Sequence, residues 1–281
     1  MSVTLDAGPR HPVLTVTGWE VDKLIAQVRV RLTLAVCLLG PFAFAFGLKL
    51  ASNVPADTLF GRWVRDSGFA IPLVVLGFAG SWGFPVLSCL VAGDIFSSED
   101  HYGTWATILT RSVSRRSVFV GKALAVAVWV VAAAALLTAA SLAAGLLLVG
   151  HQPLVDLGGI VRTSGSLTTL VVLSWLSVVP AMLTFAALGV LCSIASRSSV
   201  VGIGVPVLLG LVLQLALSVN GLGPALALLP NWSFVAWHGL FAEPAFTGPL
   251  IEGIAVSVGY IVVCLGIAWR LFARRDIAGS R

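Results

Sequence analysis

The sequence predicts an all-α polytopic membrane protein with six transmembrane helices, and three observations lead there. Of 281 residues, 58% are hydrophobic and only 10% are charged, against roughly 25% charged in an ordinary soluble domain. Six runs are apolar enough to cross ~30 Å of hydrocarbon, which takes about 20 helical residues. The 17 Lys and Arg fall thirteen to four on alternate sides of those runs. So few charges cannot coat a water-facing surface, which excludes a soluble enzyme, a disordered regulator and a nucleic-acid binder. The net charge of +5 then reads as loop charge at a membrane face.

The first element is an interfacial helix within residues 12–31. Val21, Leu24, Ile25 and Val28 repeat at i, i+3, i+4 and i+7, with Glu20, Lys23 and Gln27 on the other side. Thr17 and Glu20 have the spacing of a capping box, and Val16 and Val21 that of a hydrophobic staple. Trp19 and the basic residues suit the headgroup region, so the segment is expected to lie on the cytoplasmic surface; a cytosolic extension of the first span is the alternative. No continuous apolar h-region precedes Leu32, so the first span is expected to act as its own insertion signal.

The spans run from Leu32 to Ala51, Gly68 to Gly93, Val118 to Val149, Leu167 to Ala195, Ser199 to Val219 and Pro249 to Phe272. Pro41, Pro72, Pro85, Pro180 and Pro206 lie inside them, predicting kinks in spans one, two, four and five. Lys49, Arg62, Arg65 and Arg162 are the minority cations, so both termini are expected in the cytoplasm of a multi-pass cell-membrane protein. Residues 1–281 form one membrane domain, with no connection long enough to fold alone. The use of 14 Arg against 3 Lys, with abundant Ala, points to a high-GC bacterium.

Cys37, Cys89, Cys192 and Cys264 each sit inside an apolar run, as packed thiols rather than a disulfide or metal framework. His11, His101, His151 and His238 are scattered over termini and loops, so neither a metal site nor a catalytic set is expected. Ser81, Thr138, Ser141, Ser174, Ser177, Thr184 and Gln214 are polar side chains within the spans; they could line a cavity, but hydroxyls in membrane helices more often bond nearby backbone. Gly77, Gly80 and Gly83 on the second span would permit close helix contact within or between subunits.

The longest connection on the basic side, residues 94–117, carries a pattern of its own. Tyr102, Trp105, Ala106 and Leu109 fall at i, i+3, i+4 and i+7, predicting a short helix with one apolar stripe. Ser97 or Ser98 can cap it, Glu99 and Asp100 suit its positive end, and Arg111 its negative end. Gly103 would cost ~1 kcal/mol inside a helix, so close approach to a partner is a reason for it. Membrane surface and a groove in a cytoplasmic protein both fit such a stripe.

Glu99, then Gly103-Thr104, an apolar helix, Val113-Ser114-Arg115 and Gly121-Lys122 resemble the motif of permease subunits of ATP-binding cassette transporters, type-2 exporter family. Ser112 stands where that family usually has proline. The resemblance implies that residues 94–117 hold a coupling helix docked in a cleft of a separate ATPase subunit. It places Glu99, Gly103 and Thr104 in the helix motif and Arg115 in the following turn; Tyr102, Trp105 and Leu109 are added from the stripe as apolar anchors. Glu99 could equally be only a helix-start charge, and Arg115 only a topology determinant. The resemblance further implies a second permease subunit, in a homodimer or heterodimer, with ATP and Mg bound by the partner ATPase.

Residues 220–249 contain no Lys or Arg but are apolar and aromatic, and Pro224 and Pro230 divide them into pieces too short to cross. They are expected to form outer re-entrant half-helices with Trp232 and Trp237 at the interface, as in that family. No phosphate-binding loop occurs, since Gly121-Lys122 is followed by Ala123 and lacks the upstream glycine. The chain is therefore expected to be no enzyme by itself. No ionisable residue falls in the middle of a span, which argues against an ion-coupled carrier. Such a carrier, or a membrane anchor for a cytoplasmic partner, are the alternatives to half of an ATP-driven exporter.

Overall fold

The computed structural model describes residues 11–51, 58–105, 107, 114–217 and 223–275. Six helical stretches among them are long and apolar enough to span a membrane: Val28–Leu50, Ala70–Tyr102, Arg115–Leu148, Ser164–Ser196, Ser199–Leu217 and Gly248–Ala273. The chain is thus a multi-pass membrane protein by helix length and hydropathy. We label the helices α1 (Pro12–Ala26), α2 (Val28–Leu50), α3 (Ala70–Phe78), α4 (Phe84–Ala92) and α5 (Ser97–Tyr102). They continue with α6 (Arg115–Leu148), α7 (Ser164–Ser196), α8 (Ser199–Leu217) and α9 (Gly248–Ala273).

The second span departs from α geometry between α3 and α4, where Ala79–Gly83 form a π-turn. Pro85 has no N–H to offer the Ser81 carbonyl and its ring crowds that group, so the chain relaxes there. Pro41, Pro180 and Pro206, by contrast, lie inside helices that remain continuous.

α7 is the hub. Of its most apolar window 61% is buried, whereas α2, α8 and α9 bury only 17% each, so those three leave broad apolar faces outward. Around α7 the core is aromatic: Phe84 meets Trp175 edge-on at 5.9 Å and Phe234 at 5.4 Å, and Phe185 stacks on Phe234 at 5.9 Å. The intramembrane hydroxyls mostly bond backbone one turn away, as from Ser81 to the Gly77 carbonyl, Thr138 to Ala134, Ser174 to Leu170 and Thr184 to Pro180. They satisfy themselves locally.

Two glycine pairs set how closely helices cross. A Cβ at Gly202 would stand 2.1 Å from the Gly93 oxygen, and one at Gly145 2.0 Å from the Gly68 oxygen. Of the three glycines read from the second span, Gly80 meets Phe234, whereas Gly77 has open space and Gly83 touches only Ala79 of its own span. The closest of these contacts lie at span ends, and Gly210 adds one nearer mid-span, where a Cβ would stand 2.8 Å from Pro85.

The far end, away from the chain termini, is closed by residues 223–241. These form 3-10 turns, Gly223–Leu228, Pro230–Phe234 and Ala236–Phe241, rather than α-helical halves. Phe60 packs on Trp237 and Phe241 beneath them, at 6.1 and 5.0 Å. A two-residue hairpin pairs Leu154 with Arg162 and Val155 with Val161. Arg162 joins it to the rest, bonding Asp156 at 2.7 Å and Glu243 at 2.5 Å.

Candidate functional site

At the opposite end the α4–α5 connection and α5, residues 94–105, touch the ends of most other helices. α5 starts without a side-chain cap: the Ser97 hydroxyl turns back to the Gly93 carbonyl (3.1 Å) and pairs with Ser199 (2.9 Å), instead of capping the helix. α5 is short because Gly103 takes the left-handed conformation, φ 65°, and ends it. The Thr104 N–H closes onto the Glu99 carbonyl at 3.1 Å.

That break corrects the single apolar stripe expected from residue spacing. Tyr102, before the break, is 75% exposed; Trp105, after it, is only 6% exposed. Gly103 is accordingly a helix stop, not a mid-helix contact. Leu109, Ala106, Arg111 and Ser112 lie outside the described residues.

Glu99 is buried at the centre of the segment. Lys122 Nζ donates to Glu99 Oε1 at 3.0 Å, to Glu20 Oε1 at 2.8 Å and to the Ile95 carbonyl at 3.0 Å, using all three of its donors. Lys23 also donates to Glu99, as does the Thr104 hydroxyl. Two ammonium groups thus meet two carboxylates. Lys122 is fully buried, 5.8 Å from the Phe96 ring centroid and 5.9 Å from that of Trp105. Burial acts to lower the Lys23 pKa, but the Glu99 bond and the charges of Glu20, Glu99 and Asp94 outweigh it and raise it above its ordinary value.

Around this core Trp105 stacks with Phe96 and tilts against Phe272, at 6.3 and 5.3 Å, while Phe119 closes the cluster 5.7 Å from Phe96. The Trp105 indole N–H donates to Asp100 at 3.0 Å, and Arg275 bonds the same carboxylate at 2.9 Å. Arg115 reaches the Arg275 carbonyl at 2.8 Å, tying the start of α6 to the end of α9. Asp94 pairs with Arg29 and accepts from the Ser199 hydroxyl, and the Ser97 N–H donates to Ser193 at 3.0 Å. Of the residues read from the sequence, the structure gathers Glu99, Thr104, Trp105 and Arg115 into one network, and leaves Tyr102 and Gly103 at its surface.

Three readings change with this geometry. Glu20 was placed on the polar face of the first helix; α1 instead buries Val16, Glu20 and Leu24 while Ile25 and Val28 are exposed. The wish of Lys122 for a counter-charge outranks the apolar periodicity. The Thr17–Glu20 capping box does not form either, since α1 begins at Pro12 and the Thr17 hydroxyl bonds the carbonyls of Val13 and Gly121. Finally, Lys122 was read only as part of a motif and a topology charge, yet it is the most buried cation of the network. Its position in an otherwise apolar turn between Val120 and Ala123 was the available signal.

Residues 64–278, about three-quarters of the chain, match the model of a family described as a protein of unknown function (DUF2705). No curated protein matches the chain.

Proposed function

The chain belongs to the DUF2705 family, whose function is unknown, and from the motif and the bonding of residues 94–105 we propose that it is the membrane-spanning subunit of an ATP-driven exporter. In this reading it pairs with a second such subunit and is driven by a separate nucleotide-binding ATPase, which carries the ATP and Mg. The basic end then faces the cytoplasm, by the excess of Lys and Arg there.

One observation carries the reading. Residues 94–105 bond to α1 through Lys23 and Glu99, to α2 through Arg29 and Asp94, to α6 through Lys122, to α7 and α8 through Ser193 and Ser199, and to the chain beyond α9 through Arg275. A push on such a segment displaces helix ends on all sides, since packed elements shift as units. Its motif resembles the coupling segment of type-2 exporter permeases, and Tyr102, edge-on to His101 and 75% exposed, offers an aromatic contact for a cleft. The proposed stroke is ATP-driven closure of the ATPase pair pressing on Tyr102 and α5, transmitted through Glu99 and Lys122 to α1 and α6.

The test is co-purification. Wild-type chain, purified from its native membrane, should retain an ATPase subunit; Tyr102→Asp should insert normally but lose it, because a carboxylate in an aromatic contact must be desolvated. Full recovery of the ATPase with Tyr102→Asp would sink docking through this segment. Failure of the wild type to retain any ATPase would sink the exporter reading itself.

A further inference from the structure

A cavity of about 690 Å³ opens at the basic end, between the α1–α2 junction, α5 and the α7–α8 turn. Its cations are Lys23, Arg29 and Arg197, against the single carboxylate of Asp94. Lys23 and Arg29 are held in place by Glu99 and Asp94. Arg197 makes no ion pair among the described residues; it ends α7 in the left-handed conformation, φ 56°, and is exposed. Beside it Ser198 and Ser199 line the wall, and there α8, a 19-residue helix, presents its positive end.

The rim of the cavity is apolar on one side. Val28, the first residue of α2, and Val200, in the first turn of α8, both line it and are 61% and 80% exposed. They begin two peripheral spans whose outward faces carry exposed Leu32, Val36, Val205 and Leu208. A ligand seated here meets guanidinium and hydroxyl groups above and two hydrocarbon-facing helices below. A phosphate joined to acyl chains has that polarity.

We propose that this cavity binds the headgroup of an anionic phospholipid, with the phosphate at Arg197 and Ser198 and the chains running down α2 and α8. Basic pockets between spans take anionic headgroups by this combination of charge and depth. Because Ser97 and Tyr102 line the same cavity, the bound lipid would touch α5. The inference rests on the multi-pass fold and not on the exporter reading, and its test needs no ATPase.

The full chain, purified in detergent, is titrated with dioleoyl-phosphatidylglycerol or dioleoyl-phosphatidylcholine, and retained lipid is read by native mass spectrometry. Phosphatidylglycerol should be held about fivefold more tightly, the effect of one well-placed cation on an anionic headgroup. Arg197→Gln should erase the preference and Arg197→Lys restore it. Arg116→Gln, an exposed cation of the same end outside the cavity, should leave it intact. Equal retention of the two lipids by the wild type, or equal loss in Arg116→Gln, would overturn the site. Displacement of phosphatidylglycerol by inorganic phosphate would assign the cavity to a soluble anion and overturn the lipid. So would an Arg197→Gln variant that keeps its preference for phosphatidylglycerol.

Discussion

The two ends of the bundle are closed by different interactions. At the basic end Lys122 is fully buried between Glu20 and Glu99, and the contacts that fix residues 94–105 are charged hydrogen bonds with definite directions. At the far end Phe60, Phe234, Trp237 and Phe241 close the bundle by ring packing. There Asn231 donates to the Gly210 carbonyl and Gln214, while its own Oδ1 and the hydroxyls of Ser233 and Ser257 have no partner among the described residues. A charged network tolerates one arrangement, because a carboxylate left alone in the interior is costly. Ring packing tolerates several of similar energy. Both ends carry rings, but at the basic end the buried ion pairs of Lys122 lie among them, whereas at the far end the ion pairs of Arg162 lie beside the ring cluster.

The largest effect should come from breaking the charge balance. Lys122→Met leaves Glu20 without a cation and Glu99 with Lys23 alone, a loss of about 3–5 kcal/mol, read as a lowered thermal midpoint in detergent. Adding Glu20→Gln should return part of it, since the carboxylate left without a cation is then gone and Lys23 and Glu99 stay paired. A double variant no better than the single would mean that the network is not governed by charge balance.

Next is the backbone stop between Tyr102 and Trp105. A Cβ at Gly103 meets nothing within 4 Å, so Gly103→Ala should cost only the left-handed strain, about 1–2 kcal/mol. Proteolysis of residues 97–105 should then become faster with the far end unaffected; unchanged cleavage would show that the stop is not held at φ 65° in solution.

Trimming one ring at the far end to a smaller apolar side chain should be milder. Phe234→Leu is expected to cost under about 1.5 kcal/mol and to leave the protection of residues 97–105 unchanged. A collapse of both ends together would erase the distinction drawn between them.

The smallest effect concerns pH. Burial acts to raise the Asp156 pKa, but bonds from the Ile160 and Gly158 N–H groups and from Arg162 prevail and hold it below its ordinary value. Its stabilisation is complete above the ordinary carboxylate range and disappears as pH falls through the lowered native value. Asp156→Asn should therefore lower the thermal midpoint at neutral pH and converge with the wild type in acid. Curves that stay parallel down to low pH would remove Asp156 from the acid response.

Much of the basic end was legible in the chain. The local motif marks Glu99, Thr104 and Arg115 and the apolar stripe marks Trp105, and the structure brings these four into one network within the chain. Glu20 is not so marked, because its neighbours Val21, Leu24 and Ile25 impose a helical face that puts it toward water. Only the approach of α6, a hundred residues later in the chain, makes that face the buried one. Tyr102 and Trp105 shared a stripe only as long as Gly103 was counted as helix.

Span number and the division of charge between ends follow from the sequence alone, because hydropathy and charge are sums over neighbouring residues, and the bilayer responds to those sums. Which charges meet, which face of α1 turns inward and where α5 stops were decided by tertiary structure. Glu20 and Glu99 find Lys122 only when three separate elements converge, and the cost of burying that ammonium unpaired overrides every local preference that pointed elsewhere.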